Sequence, residues 1–220
     1  GVVSAMVKSG KPMGILPTGT GNILARDLGI PLSLEDALAV LRGPNTVRTL
    51  DVMEINGDYY VLNVSIGISS KVIKETGREE KRRFGMLAYG WHAVRSILRS
   101  DMHVFDVQVD GRPYRFTATE VMITNTCPLG IPIVLDGLRT IDVDDDRLDL
   151  FIMRARNFRD YLNVLVKFLF GFWRKSDPVL RYIEIKEKVE LRSKVPLVVQ
   201  ADGEEIGHTP VTVNLVPGSL

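Results

Sequence analysis

The chain has 220 residues, a formal net charge of +1, 45% hydrophobic residues and a single cysteine, Cys127. The near-neutral charge excludes a strongly basic protein drawn to nucleic acid. One cysteine excludes an internal disulfide framework and is typical of a reducing, cytoplasmic compartment. No apolar run reaches the about 20 residues of a membrane-spanning helix. The length and apolar content predict one large or two modest domains with a substantial core.

Residues 1–45 have the pattern of an α/β layer. The predicted elements are a helix over residues 2–8, a strand over residues 13–16, and helices over residues 23–28 and 35–41. Gly10 and Gly29 end the first two helices, and Ser33 begins the third with capping-box spacing to Asp36. Helix, strand, loop and helix form half of a βαβ unit, so we expect a parallel sheet with an earlier strand before residue 1.

A loop of small residues, Pro17-Thr18-Gly19-Thr20-Gly21-Asn22, joins the predicted strand to the second helix. Glycines ahead of a helix N-terminus bring bare backbone N–H groups and the positive end of the helix dipole to one point, which suits a phosphate. Gly-rich turns between a strand and a helix also occur for packing alone. The loop by itself therefore leaves phosphate binding and packing open.

Near residue 45 the spacing of apolar residues changes from helical to alternating, which marks a domain boundary. The predicted strands are residues 49–55, 59–66, 104–109, 114–123, 148–153, 182–185, 189–191, 197–201 and 211–216. Asn56-Gly57 and Asp110-Gly111 are strong hairpin signals between adjacent strands. Two amphipathic helices, from Phe84 to Leu98 and from Phe158 to Phe172, interrupt the strands. This pattern predicts an antiparallel β-sandwich or an open barrel.

Asp202-Gly203-Glu204 places two carboxylates at the end of a predicted strand, two positions apart and therefore on one side. Neighbouring like charges raise the pKa of one of them, which suits a general base. Asp-Gly is also a common hairpin turn, because both residues tolerate positive φ. A plain turn is sufficient for Asp110-Gly111, whereas both interpretations stay open for Asp202.

The acidic run over residues 142–149 is the densest cluster of carboxylates in the sequence. Carboxylates and turn carbonyls bind hard cations such as Mg²⁺ and Ca²⁺, and a solvated acidic loop is the alternative. The three histidines are scattered without ligand spacing, which argues against zinc. Aromatic and basic residues over 168–175 either touch a membrane interface or, as we favour, end a helix that faces the core.

Four motifs follow one another along the chain: residues 16–22, Thr49-Leu50-Asp51, Asp144-Asp145 and residues 200–204. In this order and spacing they resemble the diacylglycerol kinase catalytic-domain family, especially its bacterial soluble lipid kinases, with sphingosine and ceramide kinases as relatives. The resemblance covers nearly the whole chain. It implies phosphorylation of a lipid hydroxyl, of diacylglycerol or a similar lipid, with ATP and Mg²⁺. It also implies a cytoplasmic protein that contacts the membrane surface transiently and binds no nucleic acid.

The resemblance assigns roles to individual residues. Asp202 matches the proposed general base that takes the proton from the acceptor hydroxyl, with Glu204 beside it. The implied ATP-binding residues are Gly19, Thr20, Gly21 and Asn22, with Thr20 as the nucleotide contact. Phosphoryl transfer needs positioning and charge neutralisation more than covalent chemistry, so glycine loops, a cation and one base are sufficient.

The resemblance also implies a Mg²⁺ site in the acidic run. Asp145 matches its side-chain ligand, and Asp142 and Arg147 match its backbone-carbonyl ligands. Asp51 falls where the family has an acid that is linked to the ion through water. Relatives carry Gly at the position of Asp146, so the geometry of this turn is a point for the structure to decide.

The family fold implies how the chain is organised. Residues 1–45 are expected to be the C-terminal part of a Rossmann-like α/β ATP-binding domain. Residues 46–212 are expected to be a β-sandwich lipid-substrate domain with two inserted helices, and residues 213–220 a segment that returns to the first domain. The family's Gly-Gly-Asp-Gly-Thr loop is absent apart from Gly1, so we expect residues 1–220 alone to bind ATP poorly and to have little kinase activity. An open parallel sheet exposes an edge prone to pairing, so a homodimer is also considered.

Two alternatives stay open. In the first, the sandwich is a non-catalytic lipid- or membrane-binding module. In the second, the protein is an NAD kinase-like enzyme with a soluble acceptor, although the Asp-Gly-Glu segment at Asp202 favours the lipid branch. The acceptor cannot be read from the sequence, because a cleft for an acyl chain is lined by ordinary apolar residues.

Overall fold

The structure is a computed structural model that describes residues 1–19, 21–67, 101–126, 142–170 and 177–220. Thr20, Cys127 and the predicted helix from Phe84 to Leu98 lie outside the described residues. So does the predicted end of the second inserted helix beyond residue 170. No helix in the described ranges is long and apolar enough to cross a membrane.

The N-terminal part contains three short helices, close to the predicted bounds. They are α1 (Val2–Ser9), α2 (Ile23–Asp27) and α3 (Leu34–Arg42). The Ser33 hydroxyl accepts a hydrogen bond from the Asp36 N–H at 3.1 Å, which is the capping contact that the spacing predicts. Gly10 ends α1 in the left-handed conformation, with φ of +61°.

The predicted strand over residues 13–16 is wrong. This segment has no strand conformation, and every strand pairing in the described ranges is antiparallel, so no parallel sheet forms there. A β-strand needs a neighbouring strand to accept and donate its backbone hydrogen bonds. The segment packs instead against α3, since a Cβ built on Gly14 would lie 2.9 Å from a methyl group of Leu41.

Two six-stranded antiparallel sheets contain all the strands of the described residues. The strands of the first sheet, in spatial order, are β2 (Asp58–Tyr60), β1 (Val52–Ile55), β12 (Val211–Val216), β9 (Lys188–Ser193), β4 (His103–Val109) and β5 (Arg112–Ala118). The strands of the second sheet are β11 (Glu204–His208), β10 (Val198–Ala201), β3 (Asn63–Gly67), β6 (Glu120–Thr124), β7 (Leu148–Met153) and β8 (Leu180–Ile185). The predicted β-sandwich is therefore confirmed.

The core lies between the two sheets and follows from the alternation of residues along each strand. In β4, Phe105, Val107 and Val109 are buried, whereas Asp106 and Gln108 are exposed. Strand β7 is buried on both faces, because helix α4 (Phe158–Phe170) covers its outer side. There Val164 packs in one cluster with Phe151, Leu180 and Tyr182.

Two predicted strands are each divided in the structure. Residues 59–66 form β2 and β3, and residues 114–123 form β5 and β6. In both cases the chain leaves the first sheet and enters the second at a buried position, and the apolar pattern continues across the break. Strand β11 has no sequence signal because four of its five residues are polar or glycine and none is fully buried.

The two sheets follow the same path. Each begins at one edge with an Asp-Gly hairpin: β4–β5 in the first sheet and β10–β11 in the second. The third strand from that edge, β9 or β3, is entered directly from the far edge strand of the opposite sheet, β8 or β2. The sandwich thus has a pseudo-two-fold arrangement that exchanges the turn at Asp110 with the turn at Asp202.

The C-terminal segment takes part in both regions. Residues 211–216 pair with β1 and β9 in the middle of the first sheet. Val216 and Leu220 pack in one apolar cluster with Val3 of α1 and Leu24 of α2. The division of the chain at residues 45 and 212 stays a prediction.

Asp51 joins three segments at the start of β1. Its side chain is almost fully buried and accepts hydrogen bonds from the N–H groups of Asp146 and Gly218, each at 2.8 Å. Its own N–H donates to the Val143 carbonyl at 2.8 Å, and its carbonyl accepts from the Asn125 side chain at 2.8 Å. One residue therefore holds the acidic turn, the C-terminal turn and β6 together.

We expect Asp51→Ala to lower the free energy of unfolding by about 2–4 kcal/mol, because two backbone donors lose their acceptor. Urea denaturation monitored by circular dichroism measures this loss. The matched control is Asp106→Ala, which removes an exposed carboxylate that pairs with Arg115 at 3.4 Å. Its expected cost is below about 0.5 kcal/mol, and equal losses in the two variants would contradict the role of Asp51.

Candidate functional site

Asp202 lies in the hairpin turn between β10 and β11 and holds the point where the chain crosses between the sheets. It has φ of +48° and Gly203 has φ of +89°, as such a turn requires. The Asp202 carboxylate accepts hydrogen bonds from the N–H groups of Val61 at 2.9 Å, Leu62 at 2.9 Å and Asn63 at 3.1 Å. The Asp202 N–H donates to the Asn63 carbonyl at 3.0 Å. We call this arrangement the Asp202 clamp.

The environment of the clamp raises the pKa of the Asp202 carboxyl above its usual 3.8. Burial is the largest cause, and the negative charge of Glu204 acts in the same direction. The three backbone N–H donors favour the charged form and oppose the shift. The predicted rise in the pKa of Asp202 therefore has the correct direction. The sequence indicated the charge of Glu204 as its cause, whereas burial contributes more.

Tyr60 belongs to the same place and was not identified from the sequence. It is half-buried at the end of β2, packs against the inter-sheet core, and directly precedes the segment that Asp202 holds. Burial raises the pKa of its hydroxyl, and the charges of Asp58, Asp202 and Glu204 raise it further. No sequence signal marks Tyr60, because its nearness to residues 202–204 comes from the crossing between the sheets.

Asp110 makes the same clamp in the pseudo-equivalent turn. It has φ of +49°, and its carboxylate accepts from the N–H groups of Lys186 at 2.9 Å, Glu187 at 2.9 Å and Lys188 at 3.0 Å. Its N–H donates to the Lys188 carbonyl at 3.0 Å. The clamp is thus a repeated structural feature of the sandwich. The residues around Asp202, and not the clamp itself, make Asp202 the candidate for chemistry.

We call the region where Asp58 and Tyr60 lie near Asp202 and Glu204 the Asp202 corner. Helix α1 brings the N-terminal part of the chain to it. The Ser4 hydroxyl donates to the Asp58 carboxylate at 3.2 Å and accepts from the Tyr59 N–H at 3.0 Å. Val61, which the clamp holds, packs in one apolar cluster with Leu24 of α2. Helix α2, which follows the glycine loop, is therefore packed in the same cluster as a residue of the clamp.

The glycine loop is closed by the Asn22 side chain. Its Oδ1 accepts from the Gly19 N–H at 2.9 Å, and its Nδ2 donates to the Pro17 carbonyl at 3.3 Å. Asn22 itself has φ of +48°, and its side chain makes no capping hydrogen bond to α2. In this conformation the Gly19 N–H is satisfied within the loop. Nucleotide binding by Gly19, Gly21 and Asn22 stays a prediction, and Thr20 lies outside the described residues.

Basic residues organise the acidic turn, which is the predicted Mg²⁺ site. Arg48 pairs with Asp144 at 2.6 Å and with Asp142 at 3.4 Å. The hydrogen bond from Arg48 lowers the pKa of Asp144, whereas burial and the neighbouring Asp144 raise the pKa of Asp142. Arg147 pairs with Asp145 at 2.6 Å. The acidic turn is thus ordered by ion pairs, which the sequence did not indicate.

The backbone of this turn has the geometry that a glycine would adopt. Asp146 has φ of +57°, so aspartate takes the left-handed conformation that glycine adopts most readily. In the described residues no three His, Cys, Asp or Glu side chains are grouped to hold a metal ion. The implied set uses one carboxylate, that of Asp145, and the carbonyls of Asp142 and Arg147. This all-oxygen chemistry fits Mg²⁺, which would compete with the Arg147 guanidinium for Asp145. Both Asp51 oxygens are already held by backbone N–H groups.

Comparisons with known proteins agree with this architecture. The family model of the diacylglycerol kinase catalytic domain matches residues 1–55, and that of the YegS C-terminal NAD kinase beta sandwich-like domain matches residues 62–220. An uncharacterized protein of Synechocystis sp. is 25% identical over 224 residues, which is 100% of this chain and 51% of that protein. A protein of Staphylococcus aureus strain Newman, named "Putative lipid kinase", is 25% identical over 212 residues, which is 95% of this chain and 67% of that protein.

Solved structures show the same fold. A crystal structure of a "putative diacylglycerol kinase" from Bacillus anthracis str. Sterne matches with a TM-score of 0.74 and 25% identity, over 94% of this chain and 66% of that chain. A crystal structure of a diacylglycerol kinase from the same strain matches with a TM-score of 0.73 and 24% identity, over 95% and 67%. The chain thus spans between half and two thirds of the length of these relatives. It belongs to the diacylglycerol kinase family whose catalytic domain is followed by the YegS C-terminal NAD kinase beta sandwich-like domain.

Proposed function

We propose that this chain belongs to a lipid kinase that transfers the γ-phosphate of ATP to a lipid hydroxyl, such as that of diacylglycerol, with Asp202 as the general base. The observation that carries the proposal is the Asp202 clamp: a partly buried carboxylate, raised in pKa and fixed in orientation by three backbone N–H groups. Membership in a kinase family supports the reaction class.

In the proposed reaction, Asp202 accepts the proton of the lipid hydroxyl as that oxygen forms a bond to the γ-phosphorus. The bond between the γ-phosphorus and the bridging oxygen breaks, and ADP leaves. Proton transfer by a positioned base contributes about 10²–10⁴-fold to such rates. A carboxylate whose pKa is raised is the stronger base, and Glu204 supports that shift through its charge.

We assign the nucleotide to the glycine loop and the cation to the acidic turn. Gly19, Gly21 and Asn22, together with Thr20, would contact the ATP phosphates from the side of α2. Mg²⁺ at the acidic turn would supply charge neutralisation and order, held by Asp145 and the carbonyls beside it. Asp51 would keep that turn in place, since it already binds the Asp146 N–H.

The acceptor is the point on which the alternatives differ. The matched sandwich domain is described as NAD kinase-like, so a soluble acceptor is the competing possibility. An assay of the full-length protein with radiolabelled ATP distinguishes a lipid acceptor from a soluble one. The acceptors tested are diacylglycerol, ceramide, sphingosine and NAD. Labelling of a lipid alcohol alone supports the proposal. Labelling of NAD alone, or of nothing, overturns it in favour of the soluble-acceptor enzyme or the non-catalytic binding module.

A lipid acceptor requires contact with a membrane surface, and helix α4 offers an apolar face for it. Leu162, Leu165 and Val166 are 51%, 43% and 41% exposed, although Val164 on the other side is buried. Exposed Arg156 and Arg159 lie at the start of the helix, where they would meet anionic headgroups. This face supports transient, peripheral association.

We expect Leu162→Gln with Leu165→Gln to weaken association with vesicles of phosphatidylcholine and phosphatidylglycerol about tenfold, because apolar side chains no longer enter the interface. Co-sedimentation measures the bound fraction. Val195→Gln is the matched control, since Val195 is 50% exposed on a loop of the sandwich. Native-like association of the double variant, or an equal loss in the control, would contradict this assignment.

The Asp110 turn provides a matched control for the proposed base. Both Asp202→Asn and Asp110→Asn replace one carboxylate oxygen that accepts backbone N–H groups with an amide nitrogen that cannot accept, so each is expected to lower stability by about 1–3 kcal/mol. Only Asp202→Asn is expected to reduce kcat, by about 10²–10⁴-fold. Steady-state kinetics and urea denaturation of the full-length protein give the two quantities.

Equal losses of kcat in the two variants would show that Asp202 acts only through the fold. Retention of kcat by Asp202→Asn would remove it from the chemistry altogether.

The raised pKa of Asp202 predicts two pH effects. Activity should fall as pH decreases through a value above 3.8, because the base must be deprotonated. A carboxyl whose pKa is raised by folding binds its proton more tightly in the folded state. Its contribution to stability is therefore largest at low pH and is lost as pH rises through the folded-state pKa.

The free energy of unfolding of the native protein minus that of Asp202→Asn, measured from pH 3.5 to 8, should therefore decrease as pH rises. A difference that grows in favour of the native protein as pH rises would refute the raised pKa.

A further inference from the structure

The end of the sandwich that carries Asp110 contains an open cavity of about 480 Å³ between the edge strands β5 and β8. Arg112, Arg181 and Lys186 contribute the three cations of its lining. The guanidinium carbon of Arg181 lies 5.8 Å from the ring centroid of Tyr114, so this side chain bridges the two sheets at the cavity wall. The size is in the range of small-ligand pockets, about 300–1,000 Å³.

These cations lack carboxylate partners in the described part of the chain, whereas neighbouring basic residues have them. Lys188 pairs with Glu190 at 2.9 Å, and Arg115 pairs with Asp106 at 3.4 Å. Among the residues that the structure describes, no such ion pair includes Arg112, Arg181 or Lys186. Three positive groups thus line one concave surface and are not neutralised by direct contact.

The cavity also contains three carboxylates, and two of them are satisfied. The Asp110 carboxylate accepts the three backbone N–H groups of its clamp. Glu184 pairs with Arg147 at 3.6 Å. Glu187 is exposed at the rim. The groups available to a ligand are therefore mainly the donors of arginine and lysine.

The pseudo-two-fold relation makes this cavity the counterpart of the Asp202 corner, with cations at equivalent positions. Arg112 stands two positions after Asp110, where Glu204 stands two positions after Asp202. Lys186 is the first residue held by its clamp, where the other clamp holds the apolar Val61. The fold builds two similar corners, and only the Asp110 corner has cationic side chains at these two equivalent positions.

We propose that the cavity at Asp110 is a second binding site, for a phosphate group carried by a soluble monoester or by the headgroup of an anionic lipid. Arginine presents paired N–H donors that match phosphate oxygens, and lysine adds a compact charge. The site is separate from the Asp202 corner, so its occupancy does not depend on the proposed kinase reaction.

Calorimetric titration of the full chain with inorganic phosphate and with glycerol 3-phosphate tests the proposal. The same chain is tested by co-sedimentation with phosphatidylcholine vesicles, with and without phosphatidic acid. Saturable binding is expected, and Arg112→Gln, Arg181→Gln and Lys186→Gln combined should weaken it by at least about tenfold. The matched control is Arg115→Gln, Arg192→Gln and Lys194→Gln combined, which removes the same charge from exposed positions and should bind as the native chain does.

Binding of the monoester alone identifies a soluble ligand, and a requirement for phosphatidic acid identifies a lipid headgroup; both support the site. Absence of saturable binding to any of these probes overturns the proposal, as does an equal loss in the two triple variants. Arg112→Glu, a single exposed change, serves if the triple variant does not fold. Asp202→Asn should bind phosphate as the native chain does, which distinguishes failure of this site from failure of the proposed base.

Discussion

The β-sandwich depends on an aspartate carboxylate that accepts the backbone N–H groups of a chain crossing from one sheet to the other. A crossing segment leaves one hydrogen-bonded ladder before it enters the next, so its donors have no strand partner. Asp202 supplies the acceptors for residues 61–63, and Asp110 does so for residues 186–188. Each clamp sits in an Asp-Gly turn because aspartate and glycine adopt positive φ there, which aims the carboxylate back at the crossing. The same interaction connects architecture to the proposed chemistry: burial and Glu204 raise the proton affinity of Asp202, although three donors oppose the rise.

The proposed roles of the two corners depend on side chains that the clamps do not include. Around Asp202 lie Tyr60, Asp58 and Glu204, and α1 is docked beside them through Ser4. Around Asp110 lie Arg112, Arg181 and Lys186. An internally repeated framework can thus support different proposed sites at its two lateral edges, because the backbone geometry is shared and the side chains are not.

Much of the fold could be predicted from local pattern. Strands with strict alternation, such as β4, and turns with Asn-Gly or Asp-Gly have signals within a few residues. The predicted strand at residues 13–16 failed because a strand exists only with a neighbour, and the pattern cannot show whether one is present. The division of residues 59–66 and 114–123 was missed because apolar alternation continues through a crossing between two sheets that share one core. For the site, the direction of the Asp202 shift could be inferred from Glu204, but its main cause, burial, could not.

The sequence by itself determined an antiparallel β fold, the positions of its Asn-Gly and Asp-Gly turns and the motif order that places the chain in its family, because these depend on residue type at short spacing. The tertiary structure alone decided that Asp202 holds residues 61–63, that Asp51 joins the acidic turn to the C-terminal turn, and that Tyr60 lies beside the candidate base. It also decided that Asp110 and Asp202 are equivalent. These contacts join residues that are far apart in the chain, Asp202 and Leu62 being 140 positions apart. Such pairs meet only when two sheets pack, so no local pattern encodes them.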